Sequence, residues 1–439
     1  MDKFPILNER LYLRSPSINV CFKAVIEGTF DKNKIEKALE TVCIRHPLLN
    51  SSVEIDNDNN AWLVQKSGSI GIEYYKSNEM DWQAWYRKTD NTAFDFSKNP
   101  LVKFCAIVGK NTEIIILGHH IIGDGIGYLN LLKDILLALD NRLDKIPQIP
   151  PFELADKYFK ETVLLDSGVH SFAKGLNEEW KQSRVRFSEK DYLEFFENYR
   201  KKYIPSLYMA SIEEGNLNKL LEKAKTNGFT VNEMVISAFS LATMETLNKS
   251  EIRLGVAANI RNELVSEPNN CMGNFVTGIS AKVYYSPTND FMSNARAITT
   301  AVNDQLKNVK NRHLIVHFLN EFDKGLIESV MFAAYGNFEH NVSKKLAELI
   351  GEQSENKGLG ISNLGRHDFS NYKNIKIVDI QFIGPAFPAN LLTVGLITVN
   401  GKLNLCLRYN EGEIKTDTVK VIYEKAIELL FRRSTVDVR

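Results

Sequence analysis

The feature of this sequence that most restricts its fold is a run of apolar residues that ends in two histidines. Residues 113–117 read EIIIL, which is too continuously apolar for the edge of a sheet and predicts a central, buried strand. The run passes through Gly118 into residues 119–125, HHIIGDG, after which apolar positions recur at helical spacing. The sequence therefore predicts a strand, a glycine-containing turn and a helix, with both histidines at the strand end.

The rest of the chain divides into two halves, each of which mixes strands and helices. Asp31 is expected to cap a helix that follows a strand at residues 19–28. In the second half, Thr230 and Glu233 form a capping box in front of an apolar helix. Further strands are expected at residues 101–108, 112–117, 207–212, 252–258, 276–283, 375–383, 392–399 and 402–409, and a last helix at 418–432. This order predicts an α/β or α+β fold with a cleft between two similar lobes.

Residues 166–200 separate the two halves. They are polar, charged and weakly periodic, and we interpret them as a linker or crossover. An N-terminal lobe at 1–165 then carries the two histidines, and a C-terminal lobe occupies 201–439. A chain of 439 residues is too long for one ordinary core, which agrees with two domains of about 200 residues.

Charge and cysteine usage narrow the classes of function. The sequence has 54 basic and 54 acidic residues, so no basic excess favours binding to nucleic acid, and we expect no such partner. The five cysteines are far apart and mostly set in apolar runs, which is typical of reduced core thiols. The N-terminus lacks the apolar segment of a signal peptide, and no stretch reaches the length of a membrane span. We therefore expect a cytoplasmic protein.

Three roles are open to His119 and His120. Adjacent residues on a strand point to opposite faces, so one ring should enter a cleft while the other packs into the fold. In the first role, both histidines are structural residues whose hydrogen bonds are satisfied within the fold. In the second, they bind a metal ion together with Asp124. In the third, one of them is a general base and the other is structural. The metal site is the weakest of these, because the alternation separates the rings and no further ligand spacing lies nearby. A neutral imidazole suits the removal of a proton from a hydroxyl or an amine.

Residues 119–125 resemble the HHxxxDG signature of the thioester-dependent acyltransferase superfamily. That superfamily includes chloramphenicol acetyltransferases, alcohol acyltransferases, polyketide-associated acyltransferases and the condensation domains of nonribosomal peptide synthetases. Other segments that resemble it follow in the same order: RHPLL at 45–49, FDF at 94–96, NPL at 99–101, NIR at 259–261, MGNFV at 272–276 and ISNLG at 361–365. The resemblance covers about residues 5–430. It implies two chloramphenicol-acetyltransferase-like lobes in a V-shaped pseudo-dimer, with a tunnel at their interface.

The resemblance also implies roles for individual residues. His120 is the general base at the middle of the tunnel, and its neighbour His119 is a structural residue of the motif. Asp124 turns away from the substrate to pair with an arginine, for which Arg261 is the candidate. Gly125 leaves room for the substrate beside the base. Weaker candidates for the tunnel wall or for binding the oxyanion are Asn274, Ser362 and Asn363.

The implied activity is that of an acyltransferase of secondary metabolism that moves an acyl group, other than an aminoacyl group, from an acyl-CoA to a small alcohol or amine. No permanently bound cofactor and no metal are implied; acyl-CoA, or the phosphopantetheine of an acyl carrier protein, is a co-substrate. Because the implied tunnel lies within one chain, we expect a monomer. Two alternatives stay open, a condensation-type enzyme with carrier-bound donors and a non-catalytic docking module. Gly127 stands where condensation domains often carry a serine, which favours a free-standing O- or N-acyltransferase.

Overall fold

The computed structural model describes residues 3–432 apart from 69, 99, 143–153, 155–157, 162, 267, 269 and 353–356. Its strands are β1 (Lys3–Ile6), β2 (Asn19–Glu27), β3 (Ser51–Ile55), β4 (Ala61–Gln65), β5 (Ile72–Lys76), β6 (Val102–Val108), β7 (Asn111–His119), β8 (Pro205–Ile212), β9 (Glu251–Asn259), β10 (Val276–Tyr284), β11 (Gly358–His367), β12 (Ile377–Ile383), β13 (Asn390–Val399) and β14 (Lys402–Asn410). Its helices are α1 (Lys32–Arg45), α2 (Trp82–Asp90), α3 (Gly125–Leu139), α4 (Ser167–Ser183), α5 (Glu189–Lys202), α6 (Glu214–Thr226), α7 (Val231–Thr246), α8 (Phe291–Lys307), α9 (Val309–Asn320), α10 (Lys324–Ala334), α11 (Asn341–Leu349) and α12 (Thr416–Phe431). Among the described residues, no helix combines the length and the apolar character that crossing a membrane requires.

The strands of the described residues form three sheets, and helices pack against them in a mixed α/β arrangement. One sheet has the order β12-β2-β7-β6-β5, a second has the order β10-β9-β11-β13-β14-β8, and a small third sheet has the order β1-β4-β3. The mixed α/β class predicted from the sequence is confirmed. β7 is the central strand of the first sheet, as its continuous apolar sequence predicts.

The strand that leads to the histidines is held rigidly by its surroundings. Ile114, Ile115 and Ile116 are each at most 1% exposed, so both faces of β7 are covered. A Cβ atom on Gly118 would lie 2.0 Å from the hydroxyl oxygen of Tyr128, so α3 approaches the end of β7 closely. That hydroxyl donates a hydrogen bond of 2.9 Å to the main-chain carbonyl of His119. Strand, turn and helix are therefore locked together at the histidine pair.

One strand crosses between the two halves of the sequence. β12 comes from the second half but pairs with β2 of the first, antiparallel and with Phe382 opposite Phe22. Their rings contact each other, with centroids 5.2 Å apart. The domain boundaries at 1–165 and 201–439 stay a prediction. The structure shows in addition that β12, from the second half, completes a sheet of the first half.

Two helices occupy most of residues 166–200, which the sequence offered as a linker or crossover. In α4 the buried positions Ala173, Leu176 and Trp180 are three and four residues apart, which is one face of a helix. These three side chains pack in a cluster that includes Leu326 and Val330 of α10. α4 is therefore packed against α10 of the second half, whereas Tyr192 of α5 contacts Phe96 of the first half.

Candidate functional site

The two histidine rings point in opposite directions, as the alternation of a strand predicts. The ring of His119 packs edge-on against Phe94 and Phe96, with centroids 5.9 Å and 5.1 Å away. The ring of His120 lines a cavity and packs against Tyr12, at a centroid distance of 5.1 Å. His120 is thus the histidine that a substrate can reach, and His119 belongs to the core.

Burial keeps both imidazoles neutral. It lowers the pKa of His119 to about 3, helped by the neighbouring His120, while contact with the carbonyl of Ser15 opposes the shift. Burial also lowers the pKa of His120, although the charge of Asp124 and the main-chain carbonyl of His120 itself oppose the lowering. A neutral ring has one nitrogen free to accept a proton, which a general base requires.

The orientation of the His120 ring leaves one nitrogen for the cavity. The residue is only 4% exposed, and Nδ1 is buried with no well-aligned hydrogen-bond partner in the described part of the chain. Because the ring borders the cavity, Nε2 is the nitrogen available to a bound group. We infer that Nε2 is the proton acceptor if His120 acts as a base.

Asp124 is fully used in holding the structure together. It caps the N-terminus of α3 by accepting a hydrogen bond of 2.8 Å from the amide of Gly127. Its oxygens also accept from the amide of Phe275 at 2.8 Å and from two nitrogens of Arg261. Burial raises the pKa of Asp124, but Arg261 and these hydrogen bonds outweigh burial and lower it overall. A charged carboxylate with four donors has little capacity left for a substrate.

Arg261 is the partner that the sequence predicted for Asp124, and both of its terminal nitrogens donate to that carboxylate. Its guanidinium is buried and lies over the ring of Phe275, 4.7 Å from the centroid. Arg261 follows β9 in the second half of the chain, whereas Asp124 follows β7 in the first. The ion pair therefore ties the two halves together directly beside the cavity.

The cavity that contains His120 has a volume of about 370 Å³. It lies between the N-terminal residues that precede β2, the turn after β7, and strands β9, β10 and β11 of the six-stranded sheet. Seven of the eight residues that the sequence singled out line this one cavity, and His119 does not; the seven are His120, Asp124, Gly125, Arg261, Asn274, Ser362 and Asn363.

The weaker candidates, Asn274, Ser362 and Asn363, differ in the hydrogen bonds that their side chains make. Asn274 is 6% exposed, and its Oδ1 atom is buried with no hydrogen-bond partner in the described part of the chain. Asn363 donates to Asn232 at 2.8 Å and accepts from the amide of Gly365 at 2.8 Å, as a turn residue does. Ser362 lies just before it on β11 and borders the cavity. Of these, Asn274 and Ser362 are better placed than Asn363 to bind a reacting group.

Little space surrounds Gly125, and its role in leaving room for a substrate stays a prediction. A Cβ atom there would lie 2.8 Å from Cδ2 of Leu364 and 3.3 Å from Cζ of Phe382. Both side chains also line the cavity. Any larger residue at this position would push into the cavity wall beside His120.

Tyr12, Arg253 and Glu352 are among the cavity-lining residues that sequence reasoning missed. Tyr12 is a tyrosine between two leucines, which gives no signal of a site. Burial raises its phenol pKa, the charges of Glu352 and Glu9 add to this, and the Asn274 side chain opposes it. The strand sequence around Arg253 alternates polar and apolar residues, but alternation does not report which charged side chain lacks a partner.

The residues of the site are suited to general-base chemistry. Within the described residues, no group of three histidine, cysteine or acidic side chains is arranged to hold a metal ion. Among the described residues, none of the five cysteines forms a disulfide. Burial is the main cause that raises the pKa of each of Cys21, Cys43, Cys105, Cys271 and Cys406, so none is an activated thiolate.

Solved structures with low sequence identity share this fold. The trichothecene 15-O-acetyltransferase TRI3 of Fusarium sporotrichioides matches with a TM-score of 0.67 and 13% identity, covering 98% of this chain and 94% of that one. Polyketide synthase associated protein 5 of Mycobacterium tuberculosis matches with a TM-score of 0.62 and 14% identity, covering 98% and 99%. The first condensation domain of the CDA synthetase matches with a TM-score of 0.62 and 12% identity, covering 96% and 92%.

Sequence comparison finds similarity to parts of large peptide synthases. Bacitracin synthase 1 of Bacillus licheniformis is 25% identical over 248 residues, which are 53% of this chain and 5% of that protein. Surfactin synthase subunit 1 of Bacillus subtilis is 23% identical over 273 residues, which are 60% of this chain and 7% of that protein. The chain thus spans less than a tenth of the length of these relatives. The family model of the condensation domain matches residues 9–314, which is more than half of the sequence, and the chain belongs to that family.

Proposed function

We propose that this protein transfers an acyl group from a thioester to a hydroxyl or amine acceptor, with His120 as the general base. Membership of the condensation domain family and the fold shared with acyltransferases support acyl transfer in general. The observation that carries the specific proposal is the position of a neutral His120 at the wall of a cavity, beside the buried Asp124–Arg261 ion pair.

The proposed reaction needs one proton acceptor and no covalent enzyme intermediate. The acceptor oxygen or nitrogen attacks the thioester carbonyl, and Nε2 of His120 takes the proton from the attacking atom. The tetrahedral oxyanion then collapses, the C–S bond breaks, and the imidazolium of His120 returns the proton to the leaving thiolate. Because no step requires a thiol nucleophile, the raised pKa values of the cysteines do not hinder it.

The oxyanion requires hydrogen-bond donors that are in place before the reaction. Ser362 lies on β11 and borders the cavity. The amide of Asn274 and the hydroxyl of Tyr12 lie on the same cavity. We propose the hydroxyl of Ser362 as the first candidate donor, because Ser362 borders the cavity that contains His120.

The donor thioester defines two versions of this function. The first uses acyl-CoA as the donor, and for it we expect activity without a second subunit. The second uses an acyl group on a carrier protein. The family and the similarity to bacitracin and surfactin synthases favour the second version as a specific alternative.

Thiol release measures both versions in one assay. Purified protein is given acetyl-CoA, longer acyl-CoAs or an acyl-loaded carrier protein, each with pooled alcohols and amines, and free thiol is followed. His120→Ala is the test variant, and the control is His170→Ala, since His170 is an exposed histidine paired with Glu321. We expect acceptor-dependent release that His120→Ala abolishes and His170→Ala retains.

The choice of donor then separates the alternatives. Release from free acyl-CoA supports the first version, and release from the carrier-bound donor alone supports the second. A folded His120→Ala variant with wild-type turnover would refute the proposed base. No release from any donor would favour a docking role for the same fold.

A further inference from the structure

One edge of β8 has no partner strand among the described residues. β8 lies at the end of the six-stranded sheet and pairs there with β14 alone. The amide of Glu411 donates to the carbonyl of Ile204 at 2.9 Å, so these two opposite residues form a hydrogen-bonded pair. Hydrogen-bonded pairs alternate along an antiparallel ladder. Every second residue of β8 therefore turns its amide and carbonyl groups away from β14, namely Leu207, Met209 and Ser211.

This edge lacks the features that usually keep edge strands from associating. β8 contains no charged residue, and its register with β14 is unbroken from Pro205 to Ile212. Each of the other strands that end a sheet in the described structure contains at least one charged residue; they are β1, β3, β5, β10 and β12. Residues 206–211 all keep part of their surface exposed. The edge is therefore open to another strand and is not protected by charge.

A second copy of β8 fits this edge as an antiparallel strand. When Met209 of one copy lies opposite Met209 of the second copy, Leu207 of each copy lies opposite Ser211 of the other. All three residues turn their main-chain polar groups toward this edge. In that register every outward amide of these residues finds a carbonyl acceptor in the other copy. One two-fold axis through Met209 thus satisfies both edges at once.

The charges at the two ends of β8 are complementary in such a pairing. At the start of β8, a cavity of about 180 Å³ is lined by Ser206, Leu207 and the exposed Arg87 of α2. At the other end, the side chain of Glu213 is 69% exposed. Antiparallel pairing brings the start of one strand to the end of the other. Glu213 of the second copy therefore lies beside Arg87 and its cavity.

A second pair of opposite charges repeats this match. Glu411 accepts a hydrogen bond of 2.9 Å from Ser206 at the start of β8, and Lys402 pairs with Glu213 at 3.2 Å at the end. The same pairing brings Lys402 of the second copy toward Glu411. Because opposite charges meet at both ends, the edge fits a second copy of this chain better than an unrelated strand.

We propose that two copies of this protein associate by antiparallel pairing of their β8 edges, which joins their six-stranded sheets into one continuous sheet. The contact uses the same surface on both copies, so it closes at a dimer. A dimer of this kind replaces the monomer that the resemblance implies. It is independent of the proposed function, since each copy keeps its own cavity with His120.

Sedimentation of the purified full chain, from low to high micromolar concentration, measures the association without any substrate. We expect a reversible equilibrium between monomer and dimer. Met209→Pro removes an outward amide and leaves the ladder with β14 complete, because a proline is tolerated where the amide faces away from the sheet. It should raise the dissociation constant of the dimer about ten-fold or more, since each strand loses a hydrogen bond. Met209→Ala keeps the amide and is the matched control, which should still form the dimer.

Charge reversal tests the antiparallel register through different side chains. Arg87→Glu should raise the dissociation constant about five-fold, because a carboxylate would then face Glu213 of the second copy at both ends of the contact. Adding Glu213→Arg to that variant should restore the dimer. Lys37→Glu is the control, since it reverses an exposed lysine of α1, which packs against α3 and not against β8. Thermal unfolding of each variant shows whether it is folded.

Three results would overturn the inference. They are a wild type that stays monomeric at every concentration, a dimer that folded Met209→Pro retains, and an Arg87→Glu defect that Glu213→Arg does not restore. The first would assign the edge to a strand of a different protein, and the second would place the contact on another surface. If Met209→Pro does not fold, the charge-reversal pair decides the question alone.

Discussion

Arg261 and Asp124 meet in two parallel hydrogen bonds, Nη1 to Oδ2 at 2.7 Å and Nη2 to Oδ1 at 2.8 Å, across 137 residues of sequence. Both side chains are at most 2% exposed. Asp124→Asn should lower the free energy of unfolding by about 3–5 kcal/mol, because it leaves the guanidinium buried without a counter-charge. Chemical denaturation measures this loss directly.

The exposed pair of Lys282 and Glu251 provides the control for that experiment. Glu251→Gln removes a carboxylate from an ion pair that water already screens, so stability should change little. If Asp124→Asn were as stable as Glu251→Gln, the buried pair would not be what fastens the two halves beside the cavity.

Stability should depend on pH through the buried histidines. The pKa of His119 in the folded protein is about 3, below the ordinary value of 6.5, so the unfolded chain binds more protons between these values. Its contribution is fully present above pH 6.5 and is lost as the pH falls toward 3, by about 1.4 kcal/mol per pH unit. His119→Gln should reduce the slope of unfolding free energy against pH by that amount. An unchanged slope would contradict the assigned burial effect.

Activity should persist at pH values below the ordinary pKa of a histidine. Because burial lowers the pKa of His120, the neutral base should survive at pH values somewhat below 6.5. The measurement is the dependence of kcat/KM on pH with a saturating donor. An acidic limb centred above 6.5 would show that a different group, or a raised pKa, controls the base.

The contact between Gly118 and Tyr128 predicts intolerance of even a methyl group. Gly118→Ala should destabilise the protein by about 1–3 kcal/mol, because the buried tyrosine must move and its hydrogen bond to His119 is disturbed. Gly175→Ala is the matched control, since Gly175 lies in α4 with no atom within 4 Å of an added Cβ. That control should gain about 1 kcal/mol from helix propensity. Equal melting temperatures for the two variants would contradict the prediction.

The oxyanion donor is tested by removing one hydroxyl. Ser362→Ala should lower kcat by about 10²-fold with little change in KM, because the hydroxyl is proposed to act on the tetrahedral intermediate. Ser370→Ala removes an exposed hydroxyl outside the cavity and should leave kcat unchanged. If Ser362→Ala kept the wild-type kcat, Asn274 or Tyr12 would be the donor to the oxyanion instead.

Local sequence patterns predicted the part of the site that is formed by neighbouring residues in the sequence, the strand end with its two histidines. The apolar run at 113–117 indicated the central strand, and strand alternation indicated that His119 and His120 separate. The pairing of Asp124 with Arg261 came from resemblance, since nothing in either local sequence reports a contact between residues so far apart.

The features that the sequence did not predict depend on tertiary packing. β11 contains serine, asparagine and glycine, which favour turns, yet its parallel pairing with β13 and β9 makes it a strand. The helices α4 and α5 were hidden because most of their residues are polar. Whether Arg253 has a partner is decided by atoms from distant segments, so no periodicity in β9 reveals it.

The addition of β12 to the edge of the first sheet, beside β2, means that the chain cannot be cut into two self-sufficient pieces. A fragment that ends near residue 200 would leave β2 with a bare row of amide and carbonyl groups along its outer edge. Such an edge recruits other strands, so this fragment should aggregate, and adding back the remainder should rescue it only if β12 docks. The whole protein should accordingly lose its structure in one cooperative transition, with the cavity disappearing as soon as either half opens.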